Sequence, residues 1–270
     1  MSKITALFLT ENGWEAAVPK EWVQYVCTQV EQEFWKHYFL WEAYQLLELL
    51  REVEIRDLRV LEPGCGNGVV GSLLSLMGAE VTLLDYSEAQ LSKARKCACD
   101  LGVETKIKFI KADLFSSPFP TQYYDLVWND GVIEHFEDPL HVVHVMAGMA
   151  RPGGNVLVTV PNKWTFNTFF IRPWRRWRNA YPFDRWGWEK SFSESQLRQM
   201  LRRAGLQDVR SSTHHFRRAW LDDYLLHSLL QDDKALRAWT PSLINAFDFL
   251  EMRVPFLGKL GFIAAAIGKV

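Results

Sequence analysis

The run Glu62-Pro63-Gly64-Cys65-Gly66-Asn67-Gly68 sets glycines at alternate positions. Alternate glycines let a backbone turn tightly and approach a ligand with no Cβ in the way. Asp85 stands 21 residues after Gly64. At that spacing a carboxylate closing a second strand can accept hydrogen bonds from both hydroxyls of a ribose. The pattern is that of nucleoside binding at the carboxyl edge of a sheet. A dinucleotide fingerprint requires glycine where Val69 stands, which argues against a nicotinamide enzyme. Glu62, two positions before the first glycine, would repel a pyrophosphate and attract a cationic amino acid. Taken alone, the glycines also fit a plain strand-to-helix turn.

These residues need a scaffold, and the hydrophobic pattern supplies one. Short apolar runs at 58–61, 81–84, 107–110, 124–128 and 155–160 alternate with helical stretches near 68–77, 88–101 and 138–150. Ser87 with Gln90 reads as a capping box, Arg151-Pro-Gly-Gly as a helix end, and Ser193 with Gln196 as the cap of a further helix. Strands near 206–216 and 262–267 complete the set. Near-continuous apolar strands separated by helices predict an α/β fold with a doubly wound, mostly parallel sheet of seven strands. Ahead of it, residues 19–52 predict two helices, so 1–50 is read as a helical cap and 51–270 as the catalytic domain. Two stretches interrupt the alternation, an aromatic and basic one at 162–190 and a helical one at 219–255.

The motifs Leu61-Glu-Pro-Gly-Cys-Gly-Asn-Gly, Leu84-Asp-Tyr-Ser, Ala112-Asp-Leu-Phe, Asp125-Leu-Val-Trp-Asn-Asp-Gly-Val-Ile-Glu-His and Arg151-Pro-Gly-Gly occur in one order over residues 58–210. In them the chain resembles the class I S-adenosylmethionine-dependent methyltransferases, in particular the group acting on small molecules and lipids. The resemblance implies a Rossmann-like sheet, S-adenosyl-L-methionine as cofactor and methyl transfer to a small-molecule or lipid-like acceptor. It implies that Gly64, Gly66 and Gly68, with Cys65 among them, form the turn beneath the methionine portion, and that Glu62 organises the amino group. Asp85 would hold the ribose and Tyr86 would pack on adenine. Asp113 with the Leu114 backbone would read the adenine edge, and Asn129 would face the methionine end. A binding module of the same fold without turnover is the alternative.

Methyl transfer from a sulfonium is an in-line displacement from an activated donor, so alignment and exclusion of water are most of the task. A base is needed only where the acceptor must lose a proton. His135, just past the fourth strand, is the candidate, with an orienting role beside Glu134 as the other reading. Some relatives place a metal on Glu-x-x-Glu-His; here Gly131 occupies the first glutamate's position, so no metal site is expected. His141, His144, His214 and His215 read as structural, with a cleft-facing His214 or His215 as the other reading. Cys27, Cys65, Cys97 and Cys99 form no metal pattern and read as reduced thiols.

The chain of 270 residues has a net charge of −1, which argues against a general nucleic-acid binder. Without a secretory leader or a membrane-spanning run in the sequence, a cytoplasmic protein is expected. Of its 12 tryptophans, four precede residue 50 and five lie between Trp164 and Trp188. The second cluster also carries five arginines. It reads first as a lid over an apolar acceptor pocket, then as a peripheral membrane contact, and last as a stacking surface for single-stranded nucleic acid. The excess tryptophan is expected to line or cover the acceptor pocket.

Overall fold

The computed structural model describes residues 18–30, 33–116, 120–164, 190–214 and 263–270. Two helices come first, α1 (Lys20–Gln29) and α2 (Glu33–Leu49). The alternating part follows as β1 (Arg59–Pro63), α3 (Val69–Leu76), β2 (Glu80–Asp85), α4 (Glu88–Asp100), β3 (Ile107–Lys111) and β4 (Tyr124–Asp130). It closes with α5 (Pro139–Met149), β5 (Ala150–Pro161), α6 (Glu194–Arg203), β6 (Gln207–His214) and β7 (Ile263–Lys269). The seven strands form one sheet in the order β3-β2-β1-β4-β5-β7-β6. Only β7 runs against its neighbours, antiparallel to both β5 and β6.

That order positions the site. From β1 the chain moves outward to β2 and β3, then returns to build β4 on the other side of β1. Where the order reverses, the connections at the carboxyl ends of β1 and β4 diverge and leave a crevice. Strands covered on both faces must be apolar throughout, and β1 and β2 are buried at all but their first residues.

One face of the sheet packs on the first four helices, joining Trp22, Val26, Leu46, Leu73, Leu91, Leu126 and Trp128 in one apolar cluster. The other face packs on α5 and α6, through Val142, Met146, Leu197 and Leu201. The N-terminal helices therefore share the core of the sheet. Trp22 is wholly buried, and its indole Nε1 donates to the Val69 carbonyl at 2.8 Å. It thereby ties α1 to the first turn of α3, next to the glycine run.

The helix starts follow the local sequence closely. Ser193 and Gln196 form a reciprocal capping box, and Asp138 accepts from the His141 amide with Pro139 opening α5. At α4 only half of the expected box forms: Ser87 accepts from the Gln90 amide, while its own amide donates to Asp85 Oδ1 at 2.8 Å. Arg151-Pro-Gly-Gly does not terminate a helix. α5 stops at Met149, and these residues belong to the start of β5, where Gly153 takes φ +76°. Of the two interrupting stretches, 165–189 and 215–262 lie outside the described residues.

Trp22 is thus a core residue and does not face an acceptor, while Trp174, Trp177, Trp186, Trp188, Trp220 and Trp239 lie outside the described residues. Trp128 is wholly buried as well, whereas Trp164 is half exposed. Replacing Trp22 by Phe removes the hydrogen bond and part of a buried ring. It is expected to lower unfolding free energy by about 1–3 kcal/mol in urea denaturation, with acceptor affinity unchanged.

Candidate active site

The glycine run leaves β1 under tight control from β2. The amides of Gly64 and Cys65 both donate to the Leu84 carbonyl, at 2.7 and 3.0 Å. Gly64, Gly66 and Gly68 all have positive φ, +71°, +52° and +62°. A Cβ on Gly64 would sit 2.6 Å from Val132 Cγ2. At Gly66 the same construction meets nothing within 4 Å, so the turn presents bare backbone to open space.

Asp85 closes β2 and is buried, with only 5% of its surface exposed. Its Oδ2 accepts from the Gly66 amide at 3.0 Å and its Oδ1 from the Ser87 amide. A carboxylate has about four acceptor positions, so both oxygens retain capacity for hydroxyl donors. Asp85 thus pins the glycine turn and can hold a diol. Tyr86, the next residue, is 79% exposed and offers its ring at the same edge. Beyond β3, Leu114 is buried, while Asp113 is exposed with its Oδ1 accepting from the Phe115 amide. Cys65 is buried, and that burial, followed by the nearby Glu62 and Asp85, pushes its thiol well up.

Glu62 lies at the end of β1 against α3, 6% exposed. Its Oε2 falls where a Cβ on Gly71 would stand, which is why a helix can pass so close there. That oxygen is buried and accepts no hydrogen bond among the described residues. Burial, then the negative charges of Asp130 and Asp85, raises the Glu62 carboxyl well above the ordinary range, with the Gly71 amide acting against them. An orphan carboxylate of this kind calls for a cation.

Strand alternation decides which end-of-strand residue faces Glu62. Asn129 does not: its Nδ2 donates to Met146 Sδ at 3.1 Å, on the α5 face of the sheet. Successive side chains of a strand point to opposite faces. Asp130 therefore lies on the same side as Trp128 and α2, where its Oδ2 accepts from the Tyr38 hydroxyl at 2.5 Å. Glu42, one turn after Tyr38 on α2 and 4% exposed, meets Asp130 carboxyl to carboxyl. Burial, then the charges of Asp130 and Glu62, raises the Glu42 carboxyl well above its ordinary range; burial raises Asp130 to about 6, with Tyr38 and Glu42 as hydrogen-bond partners acting against it.

The sequence reading missed Tyr38, Glu42 and Asp130 as site residues. A signal was present: Glu42 sits beside Ala43 and Leu46 on the buried face of a helix, where an acid has no structural purpose. His135 ends a 3-10 turn, Ile133–His135, directly past β4. Its side chain is exposed, whereas Glu134 is buried and acts on Tyr38.

A bare glycine turn, a carboxylate pinned with acceptor capacity to spare, an exposed aromatic ring and a buried carboxyl with an orphan oxygen meet at the carboxyl edge of β1 and β2. These residues fit a nucleoside carrying a cationic amino acid. A family model described as a methyltransferase domain matches residues 34–211. The chain is 31% identical over 157 residues to a ubiquinone biosynthesis O-methyltransferase from Marinobacter nauticus, covering 57% of this chain and 66% of that one. It is 35% identical over 105 residues to a protein of the same name from Aeromonas salmonicida, covering 39% and 44% respectively. The chain thus spans less than two thirds of the length of these relatives. Among solved structures, phosphoethanolamine N-methyltransferase 2 of Haemonchus contortus, in complex with S-adenosyl-L-methionine, superposes with a TM-score of 0.56 at 16% identity, over 84% of this chain and 52% of that one. Strand order, glycine turn and the match across two thirds of the sequence agree, and the chain belongs to the S-adenosylmethionine-dependent methyltransferase family.

Proposed function

We propose that the chain transfers a methyl group from S-adenosylmethionine to a small-molecule acceptor. The observation that carries this reading is the buried Glu62 Oε2, without a hydrogen-bond partner among the described residues, beneath a glycine turn pinned by Asp85. When bound, the cofactor supplies an activated methyl group on a sulfonium. The protein's part is to bind and orient. Glu62 offers its free oxygen to the amino group, Asp85 receives the ribose hydroxyls, Tyr86 covers one face of the adenine, and Asp113 with the Leu114 backbone meets its edge. The bare backbone at Gly66 lets the methionine portion lie close to the sheet.

The curated relatives are named O-methyltransferases, which favours a hydroxyl acceptor. A hydroxyl must lose its proton on attack, and His135 is the proposed base, exposed at the crevice edge where it can meet an arriving acceptor. β5 and β6 end, and β7 begins, in register at Pro161, His214 and Ile263. The stretches after Pro161 and His214 therefore both leave the sheet at the carboxyl edge. This supports an acceptor-side role for them, and we take 164–188 as a lid over an apolar, lipid-like acceptor.

Calorimetric titration is expected to show binding of S-adenosylmethionine and of its demethylated product; failure of both to bind would refute the proposal, and binding without transfer across a panel of phenolic and lipid hydroxyls would leave a silent module. Asp85→Ala removes the ribose acceptors and frees the glycine turn, and should weaken cofactor binding by about tenfold or more. An unchanged dissociation constant would remove Asp85 from the site. His135→Ala is expected to cut turnover by about 100-fold or more with cofactor affinity retained, as measured by methyl transfer alongside calorimetry.

A further inference from the structure

The carboxyls of Glu42, Glu62 and Asp130 converge from three elements, α2, β1 and β4, with the Tyr38 hydroxyl as hydrogen-bond donor to Asp130. Glu42 and Glu62 are 4% and 6% exposed. Burying several acids together is costly and is rarely kept without an opposite charge. The charged groups acting on them among the described residues are themselves acidic: Asp85 on β2 acts on Glu62, and Glu134 on the 3-10 turn acts on Tyr38. Two oxygens in this group, Glu62 Oε2 and Asp130 Oδ1, are buried and accept no hydrogen bond among the described residues. Nor do the acids form a metal-ligand arrangement among the described residues. Among the described residues no positively charged side chain acts on these carboxyls, and an organic cation would complement them.

We propose that Tyr38 and Glu42 of α2 join Asp130 and Glu62 in an anionic cup that recognises the positive charge at the methionine end of the cofactor. This inference rests on the cofactor reading above and extends it from the glycine turn to the N-terminal helix. Hydrogen bonds from Tyr38 and Glu42 favour the ionised form of Asp130, and the Tyr38 hydroxyl holds it in place. Glu62 faces them from β1. Tyr38 and Glu42 act through Asp130 and are positioning residues. The cup attracts a ligand in proportion to its positive charge, and α2 becomes part of the donor site as well as of the core.

The test is calorimetric titration with S-adenosylmethionine, its demethylated product and 5′-methylthioadenosine, which carry respectively two, one and no positive charges in this part of the molecule. In Asp130→Asn, affinity for S-adenosylmethionine is expected to fall by about tenfold or more, that for the demethylated product less, and that for 5′-methylthioadenosine hardly at all. Glu42→Leu should weaken the ligands in the same graded order, and Glu42→Gln, which can still donate to Asp130, should recover most of the loss. Tyr38→Phe serves as the mildest variant should the others not fold. Equal losses for all three ligands, or none for any, would overturn the cup. No binding of S-adenosylmethionine to the unmodified protein would instead overturn the cofactor reading itself. Because burial raises these carboxyls, acid protonates them. The thermal stabilisation given by S-adenosylmethionine should therefore be smaller at pH about 5.5 than at pH about 7.5, and Asp130→Asn should flatten that difference; a pH-independent shift in the unmodified protein would count against the cup.

Discussion

A carboxylate buried at the end of a central strand imposes conditions on everything around it. Glu62 has to be close to backbone, and Gly71 on α3 gives it room that a side chain would fill. It has to face a crevice rather than a packed core, and the reversal of strand order between β1 and β4 opens one. Because burial raises its pKa, the folded protein binds protons there that an unfolded chain would release. Ionising the group as pH rises therefore costs stability, and a bound cation offsets that cost. The site is thus maintained at the expense of the protein that carries it, a familiar arrangement where binding geometry and folding pull in different directions.

Asp85 couples the two halves of the same edge. Through one oxygen it holds the Gly66 amide, and through the other the start of α4 at Ser87. The turn is therefore fixed before any ligand arrives, so little ordering entropy is spent on binding. That dual attachment also explains why the capping box at α4 is half-formed: the amide that Gln90 would have met is already donated to Asp85.

Much of this was legible in the residues. Short, near-continuous apolar runs alternating with helical stretches located the seven strands, and the spacing of Gly64, Gly66, Gly68 and Asp85 located the turn and its carboxylate. Local pattern is sufficient there because the central strands β1, β2 and β4 are buried along most of their length and the turn demands particular residues. It was insufficient where a choice of face mattered. Asn129 and Asp130 are adjacent polar residues at a strand end, and only the register of β4 against β1 and β5 decides which one looks toward Glu62. Tyr38 and Glu42 reach the site from a helix that ends before β1 begins, a pairing that tertiary packing creates and no spacing rule records. Trp22 misled for a related reason: an aromatic near a binding loop can serve the loop's own anchorage.

The last strand has a separate consequence. His214 and Pro161 both pair with Ile263, so the chain that leaves β6 at residue 214 comes back to the sheet beside its own point of departure. Closing a chain between two fixed neighbouring points costs only about 0.6 kcal/mol more for each doubling of its length. Whatever lies between 214 and 263 can therefore lengthen, shorten or be exchanged during evolution while the sheet and the donor crevice stay as they are. The sheet with its glycine-turn edge and the connection from 214 to 263 thus meet at one hydrogen-bonded seam and can vary separately.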